Sequence, residues 1–441
     1  MAGGVWSTQN KVRPGVYINF LSEKSSLGSL GERGIAAFPA PLPWGKPGLI
    51  VLDAASFLDK SLSLIGYRAG DARIRHITAA LAHASRVLIY RLGAQGAEKA
   101  SATVGALKAT AKWGGLRGND LSVIVRQSLD QADAFEVVTA LEGQEVDKQI
   151  AETVEELAAN DFIDWTGSGP LAATAGAALA GGTEGTATGD EYADAFAAFE
   201  SEDFNVLGVP VDDVPTKKLA VAFTKRLRAE GKKIVAVVVN YPAADHEGVI
   251  SLKNGIVTAD GLQVEPVYLL WEIAAMEAAA NMNQSLTYQS IQDAVDAYPR
   301  LTNSQTEQAL LNGELVITAS NGRAYIEQDI NTLVSYTVEK GRMFSKNRVV
   351  RVLDGFANDV RRIFEQFYVG KVDNNQDGRA LLQGEIVSYM RNLQEIAAIQ
   401  NFDPQSDVRV LEGEQSDSVM IEVLLQPVDA IEKIYMKVRV R

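Results

Sequence analysis

The residues able to do chemistry are few and poorly grouped. Asp373, Asn375 and Asp377 fill the first, third and fifth positions of a run that opens like a calcium loop, with Gly378 at the sixth. Calcium binding there needs a bidentate glutamate at the twelfth position. That position is Gly384, and Glu385 comes one residue late. The slip misdirects the carboxylate, so the run is read as a polar turn between two helices and no metal is expected. His76 and His83 lie two turns apart on one predicted helix, too far to share an ion, and His246 stands alone. The chain has no cysteine, which excludes disulfides, thiolate metal sites and a cysteine nucleophile. No serine sits in a G-x-S-x-G elbow, and no G-x-x-x-x-G-K-S/T phosphate loop occurs. Gly181–Gly185 is glycine-rich but opens no clear helix, so it reads as a loop. Carboxylates are plentiful, yet no spacing singles out an acid/base pair. No catalytic residue, cofactor or metal is therefore expected.

The elements around these residues belong to a large globular body. The chain has 441 residues, of which 46% are hydrophobic and 22% charged, enough for two to four domains. Its net charge of −14 disfavours nucleic acid as a partner, because such affinity comes largely from neutralising phosphates. The opening MAGGVWSTQNKVRPG lacks a signal-peptide core, and Ala2 replaces the glycine that myristoylation requires. No run approaches the ~18 apolar residues of a membrane span, so no membrane insertion is expected.

Pattern divides the chain into an α+β / α/β multidomain protein: an α/β core, a small β-rich inserted domain and extended terminal strand arms. Residues 1–34 read as an N-terminal arm with an extended piece over Val12–Phe20, whose Pro14 suits an edge strand. Residues 35–93 begin the α/β core, with a strand at Leu49–Leu52, a helix over Ala72–Ser85 and a strand at Val87–Leu92. Residues 94–187 change to a two-residue period, with strands predicted at Ser101–Val104, Leu107–Trp113, Leu121–Gln127 and Phe135–Leu141. The Gly/Ala/Thr-rich stretch Thr166–Gly189 reads as a mobile surface connection. Residues 188–345 resume the core: Asn205–Val211, a helix over Thr216–Glu230, and Ile234–Asn240 form a parallel strand–helix–strand unit. A helix follows over Pro266–Met282, another is capped by Asn303 and Ser304, and Asn321-Gly322 joins a hairpin. Residues 346–433 form a C-terminal helix/strand domain. One helix carries Leu353, Phe356, Val360, Ile363, Phe364 and Phe367 on its inner stripe, with Asp354, Asp359, Arg361, Arg362 and Glu365 facing away.

Residues 434–441 form the C-terminal strand arm. Ile434, Met436, Val438 and Val440 alternate with Tyr435, Lys437, Arg439 and Arg441. Lys11 and Arg13 at one end, and Lys433, Lys437, Arg439 and Arg441 at the other, make both ends basic on an acidic body. An edge strand with open main-chain groups invites another chain or closes on its own sheet. The subunit-interface candidates are Val12, Val16, Tyr17, Ile18, Ile434, Met436, Val438 and Val440.

Four stretches together resemble the contractile tail sheath protein of tailed bacteriophages and phage-derived particles. These are Pro14–Tyr17 (PGVY), Gly114–Asp120 (GGLRGND), Gly370–Arg379 with Lys371, Val372 and Asn375, and Pro427–Tyr435 (PVDAIEKIY). The resemblance implies no catalysis. It implies sixfold rings stacked helically around a rigid tail tube, contracting to drive that tube through a cell envelope. It implies terminal arms that add strands to neighbouring subunits, and baseplate and tail terminator proteins as further partners. It places the protein in the virion tail, after a passage through the host cytoplasm. Arg361 and Arg362 are the candidate contacts to the tube. The rival reading is an α/β enzyme holding a nucleotide at the strand ends of residues 205–240.

Overall fold

A computed structural model describes Ala2–Gly4, Gly15–Tyr17 and residues 33–440 other than 130 and 132. Contacts divide the chain into two compact units, Gly31–Asn358 with Pro427–Arg441, and Asp359–Gln426 with residues 1–30.

Within the larger unit, a seven-stranded sheet runs in the order Glu314–Leu315, Val249–Leu252, Val235–Val239, Val206–Gly208, Ile35–Pro41, Arg86–Leu92, Gly48–Asp53. All neighbours are parallel except the last, which is antiparallel at the edge. Parallel sheets need helices on both faces. Here α1 (Phe57–Ile65), α2 (Arg75–Leu81) and α5 (Pro266–Ala279) share one core with the sheet. In that core Phe38 stacks on Trp271 with ring centroids 4.0 Å apart. On the other face, α3 (Gly189–Glu200) and α4 (Val214–Ala229) bury Phe196, Phe199, Phe223 and Leu227. The parallel unit read from residues 205–240 is therefore the middle of the sheet.

The Ile35–Pro41 strand escapes sequence reading because Pro39 and Pro41 argue against a central strand. Its geometry resolves the conflict. The N–H of Ile35 donates to Asn205 Oδ1 at 3.0 Å, so the odd-numbered residues turn their N–H toward the Val206–Gly208 side. That short strand pairs only with Ala36 and Ala37. Beyond it, the missing donors of Pro39 and Pro41 face no partner strand and cost no ladder bond. The remaining helix of this unit, α6 (Asn303–Leu311), is capped one residue earlier than expected. Thr302 is the N-cap and closes a capping box with Gln305. Asn321 and Gly322, with φ of 53° and 72°, make the expected hairpin turn.

The inserted β-rich domain packs a four-stranded sheet and a three-stranded sheet around Leu121, Val123, Val125, Val137, Phe162 and Ile163. Thr166–Gly189 is not a bare connection. Thr174–Ala178 pairs with Leu121–Gln127, and Thr166 and Gly167 end a strand paired with Leu107–Ala111. Those bonds use main chain, which a composition of small residues does not reveal.

The Gly114–Asp120 motif is a clasp between this domain and the large sheet. Arg117 is buried, donates from Nε to Gly66 O at 2.8 Å and pairs with Asp120 at 2.8 Å and Glu142 at 2.7 Å. Its guanidinium and that of Arg73 each lie 4.4 Å from the Tyr67 ring centre. Gly115 takes φ 134°, and a Cβ there would stand 2.2 Å from Pro43 O, so only glycine fits.

The smaller unit contains α8 (Gln376–Glu395), which buries Leu382, Ile386, Tyr389, Met390 and Leu393. Helix α7 (Asn347–Phe367) crosses the 358/359 division between the units, whereas the sequence reading sets a boundary at residue 346. Asp359, expected to face solvent, is buried and accepts a 2.7 Å hydrogen bond from Tyr389 Oη. Asp373–Gly378 leads into the first turn of α8: Asn375 caps the helix, its Oδ1 accepting from the N–H of Gly378 at 2.8 Å. A hairpin of Val408–Glu412 and Val419–Val423 completes the unit.

Candidate assembly interface

The C-terminal arm leaves the larger unit from a fixed point. Pro427 is buried and Glu432 is half-buried. Glu432 pairs with Lys346 and accepts hydrogen bonds from Gln328 Nε2 at 2.6 Å and Thr287 Oγ1 at 3.0 Å. Burial alone would raise this carboxyl, but Lys346 and Gln328 more than offset it and hold it below the ordinary glutamate value. From Lys433 through residue 440 the chain belongs to no helix and pairs with no strand. Ile434, Met436, Val438 and Val440 are 78%, 80%, 72% and 91% exposed. The residues between them are exposed as well, so none of the four is covered within the chain. Arg441, Val12 and Ile18 lie outside the described residues; Val16 and Tyr17 fall in a short strand pairing parallel with Ala2–Gly4.

Because the Glu432 carboxyl sits low, its contribution is present above the unfolded glutamate pKa and is lost as pH falls through the lower folded value. Acidification below the ordinary glutamate range is therefore expected to release the arm root. Amide hydrogen exchange over 427–433 checks this: exchange should rise on acidification in the wild type, after correction for the intrinsic rate. Glu432→Gln should show the faster exchange at neutral pH already.

Behind the anchor lies a buried ionic cluster that no sequence pattern singled out. Thr287 Oγ1 accepts from the N–H of Asp329 at 2.9 Å. Asp329 accepts from the N–H of Leu286 at 3.0 Å and from Asn347 Nδ2 at 2.8 Å. Arg351 Nη2 donates to Glu277 Oε2 at 2.5 Å and reaches Asp329 at 3.5 Å. Glu277, Asp329, Asn347 and Arg351 are all buried. Burial first, then the neighbouring Asp329, raises the Glu277 carboxyl against the pull of Arg351, while Asp329 is held low. One signal was available: Glu277 is an acid in an alanine-rich helix that is apolar all round. Asp354, expected to face solvent, is likewise buried, paired with Arg228 at 2.6 and 2.8 Å. The first half of α7 is thus riveted to the larger unit, which is why the compact units divide inside it.

On the outer part of α7, Arg361 is exposed and pairs with Glu365 at 2.8 Å, and Arg362 pairs with Asp359 at 3.3 Å. In the smaller unit, the Val408–Val423 hairpin has only two strands and exposes Leu411 opposite Met420, with Leu424 beyond. It carries Glu412, Glu414, Asp417 and Glu422 against a single Arg409.

Burial lowers His76 to about 4, keeping it neutral beside Trp271 and Tyr268. Among the described residues, no three His, Asp or Glu side chains converge to hold a metal. No described helix is long and apolar enough to cross a membrane.

Comparison with known proteins then decides the family. Three family models match in succession: the phage tail sheath protein β-sandwich domain over residues 95–186, its central domain over 185–332, and the phage tail sheath C-terminal domain over 339–441. The chain belongs to the phage tail sheath family. It is 34% identical to the phage-like element PBSX protein XkdK of Bacillus subtilis, over the whole of both chains. It is similar to the crystal structure of the sheath tail protein from Desulfitobacterium hafniense, with 48% identity and a TM-score of 0.85, covering 97% of this chain and 100% of that one. The helical sheath of the anti-feeding prophage in its contracted state shares the fold at 14% identity and a TM-score of 0.58, over 97% of this chain and 99% of that one. The sheath protein described here is a structural, non-enzymatic subunit, and the nucleotide-binding reading gains no support.

Proposed function

We propose that this sheath subunit polymerises as stacked sixfold rings around a tail tube and contracts to drive the tube through a cell envelope. The observation that carries the reading is the arm: residues 434–440, whose sequence alternates as a strand would, are uncovered and leave a fixed root at Glu432. Such a strand gains main-chain hydrogen bonds by adding to another copy. The Val408–Val423 hairpin is the best-suited acceptor. Two strands alone are too few for a stable sheet, its exposed Leu411 and Met420 match the arm's apolar face, and its acids complement Lys437 and Arg439. Arms that link copies while their bodies rotate as rigid units suit contraction. The N-terminal segment Val12–Phe20 acts in the same mesh.

The tube meets the outer face of α7 through Arg361 and Arg362, and baseplate and terminator proteins close the two ends of the polymer. The particle is a phage or phage-derived tail, assembled in the host cytoplasm, and with a net charge of −14 the subunit takes no nucleic acid. Arg361 is already partnered within its own helix by a weak, exposed pair with Glu365, whereas Arg362 pairs with the buried Asp359. Reversing Arg361 to glutamate is therefore expected to leave the subunit's melting temperature nearly unchanged while weakening tube-guided assembly; guided assembly at the wild-type rate would place the contact elsewhere. The reading as a whole is tested by electron microscopy of the purified protein. Long tubes support it, whereas a monodisperse small oligomer that binds nucleotide overturns it.

A further inference from the structure

The residue next to the anchor threonine is held in a backbone conformation that bulky side chains rarely adopt. Tyr288 takes φ 59°, with its N–H donating to Ile326 O at 2.8 Å. Tyr288 is 62% exposed, and its ring stacks on Tyr325 with centroids 5.0 Å apart and planes 21° apart. Strain of this kind persists where the surroundings impose it, and it concentrates at functional sites. We propose that Tyr288 and Tyr325 form a docking platform for a second copy of this chain, the copy that receives the C-terminal arm.

The inference rests on the strand-exchange reading above and follows from chain length. Glu432 is fixed by Lys346, Gln328 and Thr287, and only Lys433 separates it from Ile434. An extended chain spans at most about 3.3–3.6 Å per residue, so the edge that pairs with Ile434 begins within about 7 Å of the anchor. A subunit that close covers the surface around the anchor. Tyr288 follows Thr287 directly, and Tyr325 stands three residues before Gln328. Ile431, on the other side of Glu432, is exposed as well. Tyrosine brings large contact area at low ordering cost, and such residues dominate interface energies.

The test compares three full-length or near-full-length proteins by pelleting over graded concentrations: wild type, Tyr288→Gly, and the chain ending at Lys433. Glycine adopts this φ without steric cost, so the Tyr288→Gly monomer should melt at or above the wild-type temperature. The concentration needed for polymerisation should rise about tenfold, the effect of losing one interface tyrosine. Normal melting with wild-type polymerisation overturns the platform and leaves strand exchange standing. Wild-type polymerisation by the chain ending at Lys433 refutes strand exchange, and the platform with it. If glycine prevents folding, Tyr288→Asn, which tolerates the same backbone, takes its place with the same outcomes.

Discussion

Arg351→Met is expected to destabilise the larger unit by about 3–5 kcal/mol, the usual cost of stranding a buried charge. Arg351 pairs with both Glu277 and Asp329, at 2.5 and 3.5 Å, and it also donates to Gln284 O at 2.5 Å. Methionine fills much of the same volume but leaves Asp329 ionised and buried. The loss comes from that uncompensated carboxylate rather than from a cavity. The companion variant Arg351→Met/Asp329→Asn/Glu277→Gln removes the charge imbalance and should recover most of the stability, since it restores a neutral interior with its hydrogen bonds. Urea midpoints for the single and triple variants decide the matter. A single-variant loss under about 1 kcal/mol would mean the cluster is solvated in solution. The pH dependence follows the same logic. Glu277 is raised to about 8, so its contribution is fully present below the unfolded glutamate pKa and declines as pH rises through the folded value. Glu277→Gln should flatten that decline.

Removing Ile434–Arg441 is expected to leave a folded subunit that no longer polymerises. The described part of the arm makes no strand pairing and keeps its apolar side chains in solvent, so the core loses nothing with it. The proposed strand exchange would bury Ile434, Met436, Val438 and Val440 against a neighbour in the polymer. Such burial contributes roughly 1.5–3 kcal/mol for each side chain before ordering costs. Circular dichroism should be unchanged, and sedimentation should show a monomer at concentrations where the full chain pellets. An unfolded product would assign the strand to its own core, and tubes from the truncated chain would show that the link lies elsewhere.

Elements built on strong local patterns were legible in the sequence. Leu121–Gln127 and Phe135–Leu141 match their predicted bounds, because their alternation and branched side chains report the buried face directly. The Asn321-Gly322 turn was equally plain. What failed depends on distant partners. Pro39 and Pro41 are tolerated only because the adjacent strand stops short of them. Asp354 and Asp359 looked like solvent-facing residues until Arg228 and Tyr389, far off in sequence, were seen to meet them. The arm lies between these cases. Its alternation is legible, but whether it closes on its own sheet is decided by the Glu432 anchor, whose three partners come from three separate stretches of chain.

A helical reconstruction of the polymer would show directly whether one subunit's C-terminal segment completes a sheet in another. Strand exchange requires density for Ile434–Val440 as a strand hydrogen-bonded to the Val408–Val423 hairpin of an adjacent copy. Density that folds the same residues back onto their own subunit would contradict it.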